Sequence, residues 1–279
     1  MKKLVILPLI ALFFAGCDKV EKPLKDDFGF VELPKGNKTV LIEEFTGTSC
    51  TFCPNGARRI EGYIQQSPEN IVTVAIHASG FAIPNDKTPY DFRTDEAKEL
   101  YDKMSAADKD LGLPGGMFDR RGYPDEVYNH PSTWDEIIQE QLAIDASFSM
   151  TGNLEYNSAT EVFTLEAGAI ALDDLPATEL YMVGYLVEDS IVAIQYDNNV
   201  YINDYVHNHV FRKSFTGMDG VAVSSGPISK DQIFNKKFTL QRTPTNGKQW
   251  RVEKCSAVVF VYDRNTQEVF EAHYVKLNK

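Results

Sequence analysis

The chemistry this chain can carry is concentrated at Cys50-Thr51-Phe52-Cys53. Two thiols with two residues between them can close a disulfide on each other, and either can attack a disulfide elsewhere. The segment follows a run at 39–45 that reads as a β-strand. It precedes 54–66, where Ala57, Ile60 and Ile64 recur at helical spacing. A cysteine at the start of a helix faces backbone N–H groups, which favour the thiolate, the form that attacks. On this reading Cys50 is the exposed attacker and Cys53, one turn on, is the more buried resolver. Pro54 falls in the first helical turn, where a missing N–H is tolerated. A small structural disulfide and half of a zinc site are the alternatives. Zinc needs two further ligands. The chain has no second Cys-x-x-Cys and Cys255 stands alone, so neither a metal nor another cofactor is expected.

Other reactive side chains carry weaker signals. His207 and His209 would share one face of a strand, but a metal would need a further ligand. Hydrogen bonding to backbone, or lining an interface, is the plainer expectation. Arg212 can hold a carboxylate on two N–H groups or make an ordinary salt bridge. Cys255 precedes the apolar run 257–262 and reads as a packed, inert thiol. His77, at the end of a second strand-like run, reads as a core-edge histidine.

The elements that must position these groups are legible in outline. Residues 71–77 form the second strand-like run, so 39–77 reads as β-α-β, a parallel pair with a crossover helix. A Gly-, Pro- and Asp-rich loop covers 79–89, and a helix is predicted over about 94–104. Residues 111–119 look like a glycine-punctuated turn into a strand, and a helix is predicted from Pro131 through Trp134, Ile137, Ile138 and Leu142. From about Ala146 helical periodicity stops. Short runs rich in β-branched and aromatic residues recur at 147–156, 162–172, 179–187, 238–240, 257–262 and 269–275, which fits an antiparallel sandwich. No internal repeat or low-complexity tract is visible.

The N-terminus begins Met1-Lys2-Lys3, continues through an apolar run at 4–14 and ends in Ala15-Gly16-Cys17. A basic start, a short apolar stretch and small residues describe a secretory signal. The run is shorter than the ~20 residues needed to span a bilayer. A small pair followed at once by cysteine resembles the lipobox of bacterial lipoproteins, with Phe14 where leucine is usual. That resemblance implies cleavage before Cys17 and its diacylation, which would anchor the protein to a membrane through lipid. Polar residues 17–36 read as a tether. No later segment is long and apolar enough to span a bilayer. The formal net charge of −12 disfavours nucleic acid and anionic lipid as partners. An exported chain meets an oxidising compartment, where the Cys50–Cys53 pair can persist as a disulfide.

Strand, turn, Cys50-Thr-Phe-Cys53, helix and a later Leu113-Pro114 together resemble thioredoxin-like oxidoreductases. The resemblance implies a cis-proline loop at Leu113-Pro114 facing the dithiol and seating a substrate chain, although Gly115-Gly116 departs from the commoner Pro-Thr. It also implies that Glu44, six residues before Cys50, relays a proton to the resolver. On a strand Glu44 faces opposite to Glu43 and Phe45, and burial near Cys53 would raise its pKa into a useful range. The alternative is that Glu43 and Glu44 are both surface charges. Thr51-Phe52 matches none of the familiar redox-tuned pairs. More of the chain is similar to the outer membrane protein 28-related family of Bacteroidetes-type envelope lipoproteins. The similarity rests on the leader, the Thr-Gly-Thr-x-Cys-x-x-Cys-Pro segment, the Leu-Pro-Gly loop ending Asp119-Arg120, and Tyr205-Val-His-Asn-His-Val-Phe-Arg212.

The resulting expectation is a signal peptide (1–16), a tether (17–36), an α/β thioredoxin-like domain (37–146) and an all-β immunoglobulin-like sandwich (147–279). The expected function is thiol–disulfide exchange with extracytoplasmic protein thiols or disulfides. The lipidated protein would sit at the outer membrane, on its periplasmic or its surface face. The β-rich segment would supply a docking surface or a homodimer contact. The rival expectation is a non-enzymatic binding or adhesion protein that uses the same fold as scaffold.

Overall fold

The computed structural model describes residues 36–105 and 112–278. The predicted leader, Cys17 with its expected lipid, and nearly all of the expected tether lie outside the described residues. Among those described, the chain order is β1 (Val40–Thr46), α1 (Cys53–Gln66), β2 (Ile71–His77), α2 (Asp95–Ser105), β3 (Gly115–Phe118), α3 (Trp134–Leu142), β4 (Phe148–Asn157), β5 (Val162–Ala171), β6 (Leu175–Glu188), β7 (Ile191–Asp197), β8 (Val200–His207), β9 (Val210–Ser214), β10 (Val221–Ile228), β11 (Ile233–Gln241), β12 (Cys255–Asp263) and β13 (Val269–Lys276).

The local β-α-β reading holds. β1 and β2 pair in parallel, with Val40 opposite Ile71 and Thr46 opposite His77, and α1 makes the crossover. The fold class does not hold. Thirteen strands against three α-helices make the described chain mostly β, and strands from both halves share one eight-stranded sheet. Its order is β13-β12-β6-β9-β2-β1-β3, with β10 paired to β6. The seam is β2 to β9, parallel through Ala75 and Val210, and β9 then runs antiparallel to β6. An α/β thioredoxin-like unit followed by a self-contained immunoglobulin-like sandwich is therefore the wrong description. Turn and periodicity signals report local pairing, whereas the β2–β9 seam joins segments far apart in sequence. β12 did carry a clue. Residues 255–262 are all buried, and their unbroken apolar run at 257–262 suits a central strand covered on both faces better than an alternating sandwich strand.

The sheet has two covered faces. On one, Leu41, Phe45, Val74 and Ile76 pack with Tyr185, Phe211, Phe260 and Tyr262, under Ala97, Leu100 and Met104 of α2. The opposite face is covered in two parts. Over β1 and β2, Val40, Ile42 and Ile71 meet Ile60 and Tyr63 of α1 and Trp134 and Ile138 of α3. Over β6 and β12, the three-stranded β11-β5-β4 sheet packs Phe148, Phe163 and Leu165 against Leu180, Met182 and Val259. β7 and β8 form a separate hairpin.

A buried polar network crosses the shared sheet. Arg120 donates Nε to Glu43 Oε2 at 2.7 Å and Nη2 to Glu43 Oε1 at 2.8 Å, and its Nη2 also donates to the Tyr185 hydroxyl at 3.0 Å. Its guanidinium lies over the rings of Phe260 and Tyr262. Asp119 accepts from Leu41 N at 2.8 Å and pairs with Lys38 at 3.0 Å. Both Asp119 and Arg120 take positive φ, which turns the chain after β3 so that the two side chains reach β1.

Candidate functional site

Cys50 and Cys53 are joined as a disulfide, with Cα atoms 5.5 Å apart. Cys53 opens α1, and its backbone N–H donates to Cys50 Sγ at 3.2 Å. Pro54 sits in the first turn, where its missing N–H leaves no hydrogen bond unmade. The helix start thus directs partial positive charge at the sulfur that would become a thiolate.

The side of β1 that faces α1 carries Val40, Ile42 and then Glu44. Glu44 is 4% exposed, and its Oε1 has no hydrogen-bond partner among the described residues. Burial pushes its carboxyl up to about 8, so it holds its proton at neutral pH. Glu44 and Cys53 line one cavity of about 270 Å³ between the sheet, α1 and the β7–β8 hairpin. Thr46, Thr73, His77, Gln195, Tyr205 and His207 line it too.

The Leu113–Pro114 bond is cis, and Pro114 is buried while Leu113 is half-buried. Gly56 explains how the parts approach. A Cβ there would lie 2.8 Å from Pro114 Cβ and 3.1 Å from Glu44 Oε1. The missing side chain lets Pro114 and Glu44 both press against the first turns of α1. Gly115 is equally constrained, since a Cβ there would fall 1.8 Å from the Tyr128 hydroxyl. Cys50, Cys53, Glu44 and Pro114 therefore converge on one end of α1.

Exposure at the dithiol differs from expectation. Cys50 is 3% exposed rather than open, while Phe52 between the cysteines is 58% exposed. Neither cysteine belongs to a packed apolar cluster. The loop that carries Cys50 is held on both sides by hydrogen bonds. Gln195 donates Nε2 to the carbonyls of Gly47 at 3.2 Å and Cys50 at 3.1 Å, and Tyr196 N donates to Thr48 O at 2.9 Å. From the other side, Ser49 N donates to Phe81 O at 3.1 Å.

The remaining candidates separate. β8 ends at His207, and His209 lies beyond it at φ 55° with its N–H donating to Asp189, so the two do not share a strand face. His207 instead neighbours His77, with ring centroids 6.0 Å apart and Phe92 stacked on His77. Burial lowers the pKa of both, that of His207 to about 4, so both are neutral at pH 7. Among the described residues no group of three or more His, Cys, Asp or Glu is arranged to hold a metal. Arg212 is buried and donates Nε to Glu188 Oε2 at 2.9 Å. Cys255 is a buried free thiol whose pKa burial pushes up, which makes it unreactive.

Sequence reasoning missed Arg58, Gln195 and Tyr205, because it missed the β7–β8 hairpin. The signal was present. Asn198 and Asn199 lie between two apolar-rich runs, and both take positive φ, as a two-residue type I′ turn requires.

The chain matches the family described as outer membrane protein Omp28 over residues 102–279. That span holds Pro114 but neither cysteine of the pair. Among solved structures, HBP35 of Porphyromonas gingivalis is similar at 20% identity with a TM-score of 0.64, covering 88% of this chain and 76% of that one. A domain of the outer membrane lipoprotein Omp28 from Porphyromonas gingivalis aligns at 23% identity over 48% of this chain and 89% of that one, with a TM-score of 0.34. An Agrobacterium tumefaciens protein aligns at 13% identity over 88% of this chain and 97% of that one, with a TM-score of 0.50. No curated protein matches. With well over half its length matched, the chain belongs to the outer membrane protein Omp28 family, a family of the cell envelope.

Proposed function

We propose that the protein exchanges thiols and disulfides with other proteins of the envelope, held there by lipid on Cys17. The observation that carries this reading is the convergence at the start of α1. A closed Cys50–Cys53 disulfide lies on a helix N-terminus, with a protonated carboxyl, Glu44, lining the same cavity as Cys53. In the oxidising direction a partner thiolate attacks Cys50 Sγ. The Cys50–Cys53 bond breaks, and its electron pair leaves on Cys53 as thiolate, which takes the Glu44 proton. A second partner thiolate then attacks the partner sulfur of the mixed disulfide and releases Cys50. The partner's two thiols become a disulfide, and the Cys50–Cys53 disulfide becomes two thiols. The reverse sequence reduces a partner. Pro114 and Leu113, beside the dithiol, would seat the partner chain.

One observation favours the rival reading of a non-enzymatic binding protein. The family match begins beyond the dithiol, so membership in the family does not require it. Equilibration in glutathione buffers followed by alkylation separates the two readings. Exchange predicts that Cys50 and Cys53 pass between disulfide and thiols within the range of envelope redox poise. A pair that stays closed across that range favours the binding reading. Cys53→Ser should accumulate mixed disulfides on Cys50 in envelope extracts, and Cys50→Ser should accumulate none.

A further inference from the structure

We propose that the β7–β8 hairpin is a gate: its tip must leave the 47–51 loop before a partner can reach Cys50. The inference rests on the exchange reading above and adds the step that controls access. The contacts divide the hairpin in two. At its root Ile191 and Ala193 pack with Phe92 and Val210 in an apolar cluster. At its tip a row of hydrogen bonds joins it to the disulfide loop. Besides the bonds from Gln195 and Tyr196, Asn198 N donates to Thr51 O at 2.9 Å and Asn199 N to Thr51 Oγ1 at 2.8 Å. Arg58 of α1 donates to both oxygens of Asp197, at 2.9 and 3.1 Å, and Asn55 bonds Asn198.

The contacts of Arg58 and Asn55 with the hairpin tip lie near solvent and exchange with water at little net cost, whereas the buried bonds of Gln195 and the apolar root cost more to break. β7 and β8 pair only with each other in the described sheets, so the tip can lift without breaking a ladder of the larger sheets. The segment 195–199 also lies along the disulfide loop by backbone hydrogen bonds, the manner in which an extended partner segment would lie. A partner would therefore compete with the tip for the same carbonyls of Thr48 and Thr51.

The test is the rate at which dithiothreitol opens the Cys50–Cys53 disulfide in the oxidised native protein, followed by quenched alkylation. Asp197→Ala removes the Arg58 fork and should speed opening about 2–5-fold. Gln195→Ala releases the carbonyls of Gly47 and Cys50 and should speed it on the order of 10-fold. High salt should accelerate the wild type and leave Asp197→Ala unchanged, because only the wild type has the ion pair to screen. Hydrogen exchange at Tyr196, Asn198 and Asn199 should quicken in both variants, while thermal midpoints of Asp197→Ala and wild type coincide. Should Gln195→Ala fold poorly, Asp197→Ala, at a half-buried position on the hairpin tip, decides the matter. Wild-type opening rates in Asp197→Ala at low salt would overturn the gate. The glutathione titration reads equilibrium and this experiment reads rate, so the exchange reading can fail while the gate stands, and the reverse.

Discussion

Glu44 and Gly56 show how much of the site is decided at single residues. Glu44 keeps its proton in the fold up to about pH 8, whereas in the unfolded chain it loses it near 4.5. Between those values the folded state binds the extra proton, so stability falls as pH rises across the window. Glu44→Gln removes that dependence. The variant should match the wild type below pH 4.5 and gain on it progressively up to about pH 8, by on the order of a few kcal/mol, in urea titrations at stepped pH. If Glu44 supplies the resolver's proton, the same variant loses the pH inflection near 8 in the rate of exchange. Gly56→Ala should gain up to ~1 kcal/mol of helix propensity. Crowding against Pro114 should cost about 1–3 kcal/mol, so the net change is destabilising by urea midpoint. The acid and the dithiol were legible because their chemistry is written in residue type. Gly56 was not, since its reason is Pro114, a neighbour much later in the chain.

Elements behaved in two ways. β1, α1, β2, α2, α3 and most strands of the second half follow from periodicity and turn residues read locally. The β7–β8 hairpin did not stand out, because its strands mix apolar residues with Asn and Asp and leave Val192, Val200 and Val206 exposed. Only its root, at Ile191 and Ala193, fills a core. The turn offers an independent check. Asn198 and Asn199 sit at φ 45° and 68°, where β-branched residues are strained. Asn199→Val should therefore loosen the tip and hasten opening of the disulfide in the dithiothreitol assay, while Asn199→Gly, which suits the same turn, should leave the rate near that of the wild type.

At the scale of the whole molecule the shared sheet predicts cooperativity. β2 pairs with β9, and Arg120 ties Glu43 on β1 to Tyr185 on β6 and to the rings of β12. Calorimetry should show one unfolding transition rather than two. Arg120→Met leaves the Glu43 carboxylate buried without its cation and should cost about 3–5 kcal/mol, whereas Glu43→Gln with Arg120→Met should recover part of the loss. This long-range joining is what the sequence hid, because no local pattern names the strand that will lie beside β2. The β2–β9 seam also bears on biogenesis. A chain emerging N-terminus first delivers β2 long before its neighbour β9. Until β9 arrives, β2 presents a bare edge able to pair with other nascent chains. The cysteine pair likewise emerges before the hairpin that later lies along its loop.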